Sequence, residues 1–263
     1  MRRLLSFSCE GSTLGATLDG ARGTTGVLIV TGGSQTRIGS HRMFERLAAA
    51  LAAEGYACFR FDRRGVGDSE GEDPGFKDSG PDIAAAAAAF RAECPQVERI
   101  AGFGLCDGAT ALALFGGQAG VDRLVLANPW FVEAEAGAPP PAAIKQHYRQ
   151  QLMSLSGWKR LLGGGVSYAK LFKGLMKVAR PAPATLAGEV AASLGQSPRP
   201  VRMLLAWGDA TAIAAEDVWC SKPFTKVRGR SPAPLHIESD SHTFARSGDA
   251  EALLAAVLNS LRS

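Results

Sequence analysis

The sequence predicts an α/β fold in which a mostly parallel sheet is flanked by helices on both faces. Three observations predict it. The chain has 263 residues, 46% of them hydrophobic, and that length prefers one large domain with a full core to two small ones. Short β-rich runs alternate with helical patterns through the first half, the pattern of parallel strands joined by right-handed helical crossovers. Several runs, such as GVLIV and RLVLA, are apolar nearly throughout, as strands covered on both sides must be.

Taken in order, residues 4–9 and 13–19 read as strands forming an antiparallel edge hairpin, and 26–31 as the first of the parallel series. Residues 42–54 (FERLAAALAAE within them) carry apolar side chains at helical spacing. Strands at 57–62, 99–105 and 124–128 follow, separated by helices at 82–93 and 108–115. After Asn128 the pattern breaks at Pro129 and the run Gly137-Ala138-Pro139-Pro140-Pro141. We therefore divide the chain into a core, 1–128 and 200–263, and a helical cap insertion, 129–199. Within the insertion, 142–155 and 168–178 have helical patterns. Residues 129–180 hold eight Lys and Arg against only Glu133 and Glu135. The sheet resumes at 201–207 and 235–239, and an amphipathic helix at 249–261 closes the chain.

Charge and cysteine usage limit the function. Twenty-nine basic residues against 25 acidic leave a net charge of +4, too weak to argue for a nucleic-acid partner. The five cysteines, at 9, 58, 94, 106 and 220, form no CxxC pair, and an odd count leaves at least one thiol outside any intramolecular disulfide. This predicts a reduced, cytoplasmic protein. The opening MRRLL has the charge of an export signal, but Ser6, Ser8, Cys9, Glu10 and Gly11 end the apolar run, so no signal peptide is expected. No window approaches eighteen uninterrupted apolar residues, and no integral membrane segment is expected.

The residues that point to chemistry begin at Ile100-Ala101-Gly102-Phe103-Gly104-Leu105-Cys106-Asp107-Gly108, an apolar strand running through G-x-C-x-G into a helix. This is the form of a nucleophile elbow with cysteine as the nucleophile. A sharp strand-to-helix turn needs small neighbours, and Gly104 and Gly108 supply them. At the helix N-terminus the dipole favours a thiolate, and the N–H of Asp107 is placed to bind an oxyanion. Gly32-Gly33-Ser34-Gln35 follows the strand at 26–31, and a backbone N–H of Gly33 or Ser34 is the expected second donor. Gln35, Arg37 and His41, in the same loop, are expected to line the pocket, with His41 more structural than basic. Phe61-Asp62-Arg63-Arg64-Gly65-Val66-Gly67-Asp68-Ser69 reads as scaffold. Late in the chain an apolar strand ends in Gly208-Asp209, and His242 sits in a loop before the closing helix. Asp209 and His242 are the candidate acid and base, with Asp217 and Asp240 as the fallback acids.

In this order the motifs resemble the α/β hydrolase superfamily over about residues 1–128 and 200–263. More narrowly, GGSQTRIGSHRMF, RFDRRGVGDSEG, GLCDGA, the GDATA stretch and SDSHTF resemble the exosortase A system-associated hydrolases, type 1, found beside bacterial exopolysaccharide and protein-sorting loci. The resemblance implies an α/β-hydrolase fold and hydrolytic activity, with Cys106 as nucleophile, Asp209 as acid and His242 as base. The chain departs from many superfamily members, which place the acid three residues after the strand-end glycine, where Thr211 stands here.

Attack by Cys106 on an acyl carbonyl gives a thioester acyl-enzyme, and esters and thioesters suit such a nucleophile better than amides, whose amine leaves poorly. The expected substrate is a small acyl ester or thioester. The same intermediate resolved by a sugar or amine acceptor would make the protein an acyltransferase, and a non-catalytic binder of the same fold is a second alternative. The histidines are scattered and no dinucleotide fingerprint is present, so neither metal nor cofactor is expected.

Overall fold

The structure is a computed structural model and describes residues 1–132 and 185–262. Its centre is an eight-stranded sheet of β1 (Arg2–Cys9), β2 (Ser12–Asp19), β3 (Thr25–Val30), β4 (Ala57–Phe61), β5 (Arg99–Leu105), β6 (Arg123–Ala127), β7 (Val201–Ala206) and β8 (Leu235–Ile237), in the order β1-β2-β4-β3-β5-β6-β7-β8. β1 and β2 form the expected antiparallel edge hairpin, and β2 also meets β4 antiparallel. From β4 to β8 all neighbours are parallel.

Alternation along the inner strands divides the core into two layers. Leu28 and Val30 of β3, Leu124 and Leu126 of β6, and Met203 and Leu205 of β7 face one side. Val27 and Ile29, Val125 and Ala127, and Leu204 and Ala206 face the other. Helices α1 (Met43–Ala53) and α7 (Asp249–Arg262) cover the second side, burying Phe44, Leu47, Leu51, Leu253 and Val257. Helices α2 (Gly80–Glu93), α3 (Asp107–Phe115), α4 (Leu186–Gln196) and α5 (Ala210–Trp219) contribute to the first side, together with the short α6 (Thr225–Arg228).

The predicted strands and the helices at 42–54, 82–93, 108–115 and 249–261 are present with ends shifted by a residue or two. α4, at the end of the stretch assigned to the insertion, puts Leu186, Val190, Ala191 and Leu194 into the core. The helices expected at 142–155 and 168–178 lie outside the described residues. Among the described residues no helix is long and apolar enough to cross a membrane.

Parallel pairing aligns the C-terminal ends of β3, β5, β6 and β7 along one edge of the sheet. The loops carrying Gly32, Cys106, Asn128 and Asp209 all leave from that edge, where open α/β sheets gather their ligand-binding residues.

Candidate active site

Cys106 lies between β5 and α3 with φ 58° and ψ −129°, a conformation that costs a non-glycine residue about 1–3 kcal/mol and persists only where its surroundings enforce it. The surroundings do so. The Cys106 N–H donates to the Ala127 carbonyl, and its own carbonyl accepts from the N–H groups of Ala109, Thr110 and Trp130. Bulk is excluded on both flanks, since a Cβ on Gly104 would lie 2.7 Å from Ala109 N and one on Gly108 would lie 2.5 Å from Thr31 O. The bend turns the thiol away from the strand and leaves it partly exposed, while Cys9, Cys58 and Cys94 are buried.

His242 faces this thiol. Its Nδ1 is 2.9 Å from Asp209 Oδ2, and Cys106 is the second side chain that acts on the ring's proton. The two side chains, Asp209 first and Cys106 second, outweigh burial and raise the His242 pKa to about 10. A proton bound that firmly makes the ring an imidazolium at neutral pH.

Asp209 closes β7 and caps α5, its Oδ2 also accepting from the Ala212 N–H at 2.9 Å. Capping and orientation of the imidazole are thus done by one oxygen. Gly208 allows the approach, because a Cβ there would lie 2.8 Å from Asp240 Cβ in the His242 loop. The fallback Asp240 points elsewhere, toward Arg246.

The loop after β3 differs in part from expectation. The Gly33 N–H donates to Asp107 Oδ1 at 2.5 Å, so this amide, expected as an oxyanion donor, is already engaged. The amides of Ser34 and Asp107 have no hydrogen-bond partner among the described residues. The three side chains expected to line a pocket brace the loop instead. Arg37 sends its guanidinium inward to Asp62, Asp68 and Thr17, Gln35 Oε1 accepts from the Ser40 N–H, and His41 Nε2 bonds the Thr243 carbonyl. A buried Asp62 needs a cation, and Arg37, 25 residues earlier in the chain, supplies it.

Two contributors went unread in the sequence. Asn128, fully buried with φ 40°, accepts from the Ala206 N–H and donates to the His242 carbonyl, tying the His242 loop to the ends of β6 and β7. A strand ending in Asn-Pro was the available signal. Arg63, 2% exposed, donates from Nη2 to the Gly33 carbonyl.

An eight-stranded sheet of this order, with a strained cysteine after β5, an aspartate after β7 and a histidine after β8, has the fold of an α/β hydrolase. The family described as serine aminopeptidase, S33, matches residues 26–172, more than half of the chain, and the chain belongs to that family. Among solved structures it is similar to the esterase Pf2001 of Pyrococcus furiosus, with 17% identity and a TM-score of 0.65 over 100% of this chain and 91% of that one. It is likewise similar to the α/β hydrolase GrgF of Penicillium sp. sh18, with 19% identity and a TM-score of 0.64 over 100% and 98%. Est1E of Butyrivibrio proteoclasticus, solved with ferulic acid bound, gives 16% and 0.62 over 98% and 100%. No curated protein sequence matches significantly. At these identities the solved structures share the fold, and the chemistry must be argued from the residues.

Proposed function

We propose that the protein is a cysteine-dependent hydrolase of carboxylic esters or thioesters that works through an acyl-cysteine. The observation that carries this reading is a single imidazole, His242, hydrogen-bonded to Asp209 and set beside a cysteine held at a strained turn, both of which raise its pKa. In this reading the Cys106 sulfur attacks the acyl carbon, forming the C–S bond and moving the carbonyl electron pair onto oxygen. The amides of Asp107 and Ser34 receive that oxyanion, and each such donor lowers the barrier by roughly 3 kcal/mol. Collapse breaks the bond to the leaving oxygen or sulfur, which takes the proton from His242 Nε2. Water then surrenders a proton to the same nitrogen as its oxygen attacks the thioester, and expulsion of sulfur releases the acid.

The substrate is a small acyl ester or thioester in this reading, and the division into core and cap is part of it. The resemblance to exosortase A system-associated hydrolases supports a role in bacterial exopolysaccharide or protein-sorting systems. The test is turnover of p-nitrophenyl acetate and an acyl-CoA, with and without a sugar acceptor. The wild-type chain hydrolyses at least one of them without acceptor, C106A is inactive and C106S retains a trace. Unchanged turnover by C106A overturns the mechanism, and turnover that requires the acceptor makes the enzyme a transferase.

A further inference from the structure

The residue after the nucleophile carries a carboxylate, and that carboxylate is used. Asp107 Oδ1 accepts the Gly33 N–H at 2.5 Å. The other end of the same residue is also held, with Arg63 Nη2 donating to the Gly33 carbonyl at 2.5 Å. Gly33 needs such restraint. It has φ 57° and, among the described residues, no atom within 4 Å of where a Cβ would stand. Its neighbour Gly32 lies hard against the elbow, where a Cβ would be 2.4 Å from Leu105 O, 2.8 Å from Asp107 Oδ1 and 3.0 Å from Cys106 Cβ. The carboxylate therefore fits in the space that the missing side chain of Gly32 leaves, beside the nucleophile. Arg63 is buried, its Nε and Nη1 have no hydrogen-bond partner among the described residues, and Asp73 Oδ2 is 3.6 Å from its Nη2. A buried guanidinium so sparsely paired is expensive to keep, and its strongest bond goes to this one peptide.

We propose that the Asp107 side chain is a positioning residue, clamping the oxyanion loop against the nucleophile turn through the Gly33 amide while Arg63 holds the Gly33 carbonyl. The inference rests on the acyl-cysteine reading and deepens it. Asp107 then serves twice, its carboxylate fixing the loop and its own N–H meeting the oxyanion. The Ser34 N–H, one residue beyond the clamp, supplies the second donor. A loop that slips by an ångström misplaces that donor, and misplacement on this scale lowers rate on the order of a hundredfold.

The experiment compares D107N, D107A and C106A in the full chain, with p-nitrophenyl acetate as substrate and a trifluoromethyl ketone, which the thiol converts to a tetrahedral oxyanion, as inhibitor. D107N keeps the Oδ1 acceptor and recovers most of the kcat and ketone affinity that D107A loses. D107A loses roughly tenfold to a hundredfold in kcat with KM nearly unchanged, and its affinity for the ketone falls by the same factor. Should D107A fail to fold, D107N decides alone, and a loss in D107N comparable to that of C106A overturns the proposal. A D107A enzyme as fast as wild type or faster also overturns it, showing that the carboxylate only obstructs the site. If C106A itself turns over normally, the acyl-cysteine reading fails first, and the two failures are distinguished in the same series.

Discussion

An imidazole set between a carboxylate and a thiol keeps its proton well past neutrality, and His242 is placed so. Its pKa, raised from 6.5 to about 10, belongs to a group whose charged form the fold stabilises. That contribution to stability is complete below pH 6.5 and disappears as pH rises through 10. On the acyl-cysteine reading the protonated ring is also the acid that the leaving group needs, so kcat/KM for an ester should fall along an alkaline limb near pH 10. The bond to Asp209 is the larger cause of the shift. D209N therefore moves that limb down by at least about one unit, toward the ordinary imidazole range. A pH–rate profile of the two proteins measures it, and an unmoved limb in D209N would remove Asp209 from the role of acid. Equilibrium unfolding of the wild type between pH 6.5 and 10 should show the matching decline.

β3, β5, β6 and β7 are each followed within two residues by a glycine or a residue of positive φ, namely Gly32, Cys106, Asn128 and Gly208. The join of β5 to α3 is tightly packed against backbone. A methyl group on Gly108 would meet the Thr31 carbonyl oxygen at 2.5 Å and the Val30 carbonyl oxygen at 2.7 Å, and backbone does not give way as a flexible side chain does. Gly108→Ala should lower unfolding free energy by about 2–3 kcal/mol, read as a reduced urea midpoint at unchanged slope. Gly195, near the end of α4, has open space where its Cβ would be, and Gly195→Ala should stabilise the chain by up to about 1 kcal/mol. Equal effects at both positions would mean that the turn is not packed as described. The same physics explains which elements the sequence disclosed. The inner strands are apolar on both faces and α1 has a clear apolar stripe, so both are written locally. In α5 the buried face is Ala212, Ala214, Ala215 and Trp219, mostly alanine, which marks no face strongly, and the helix begins at an aspartate that also reads as a turn residue.

At the scale of the whole molecule, the parts of the site written in the sequence are those with a local signature: the G-x-C-x-G turn, the strand-end Gly208-Asp209 and the loop around His242. What stayed hidden are bonds that close across the chain. Gly33 meets Asp107 over 74 residues and Asn128 meets His242 over 114, and no spacing rule predicts a contact formed only when the sheet assembles. The assembled fold also sorts the five thiols, all free, into three environments. Cys9, Cys58 and Cys94 are buried, and burial raises the pKa of each, that of Cys9 to about 12 with help from the Asp82 carboxylate 3.1 Å from its sulfur. Cys220 is exposed, and Cys106 is partly exposed beside an imidazolium. Thiolate is the reactive species, so a small dose of iodoacetamide at neutral pH should modify Cys106 first and Cys220 at the rate of an ordinary surface thiol. The other three react only when the chain unfolds. Peptide mapping reads the order directly. D209N should slow labelling of Cys106 and leave Cys220 unchanged, because only the first depends on the charge of His242. Labelling of Cys106 no faster than that of Cys220 would mean that the ring does not activate the thiol.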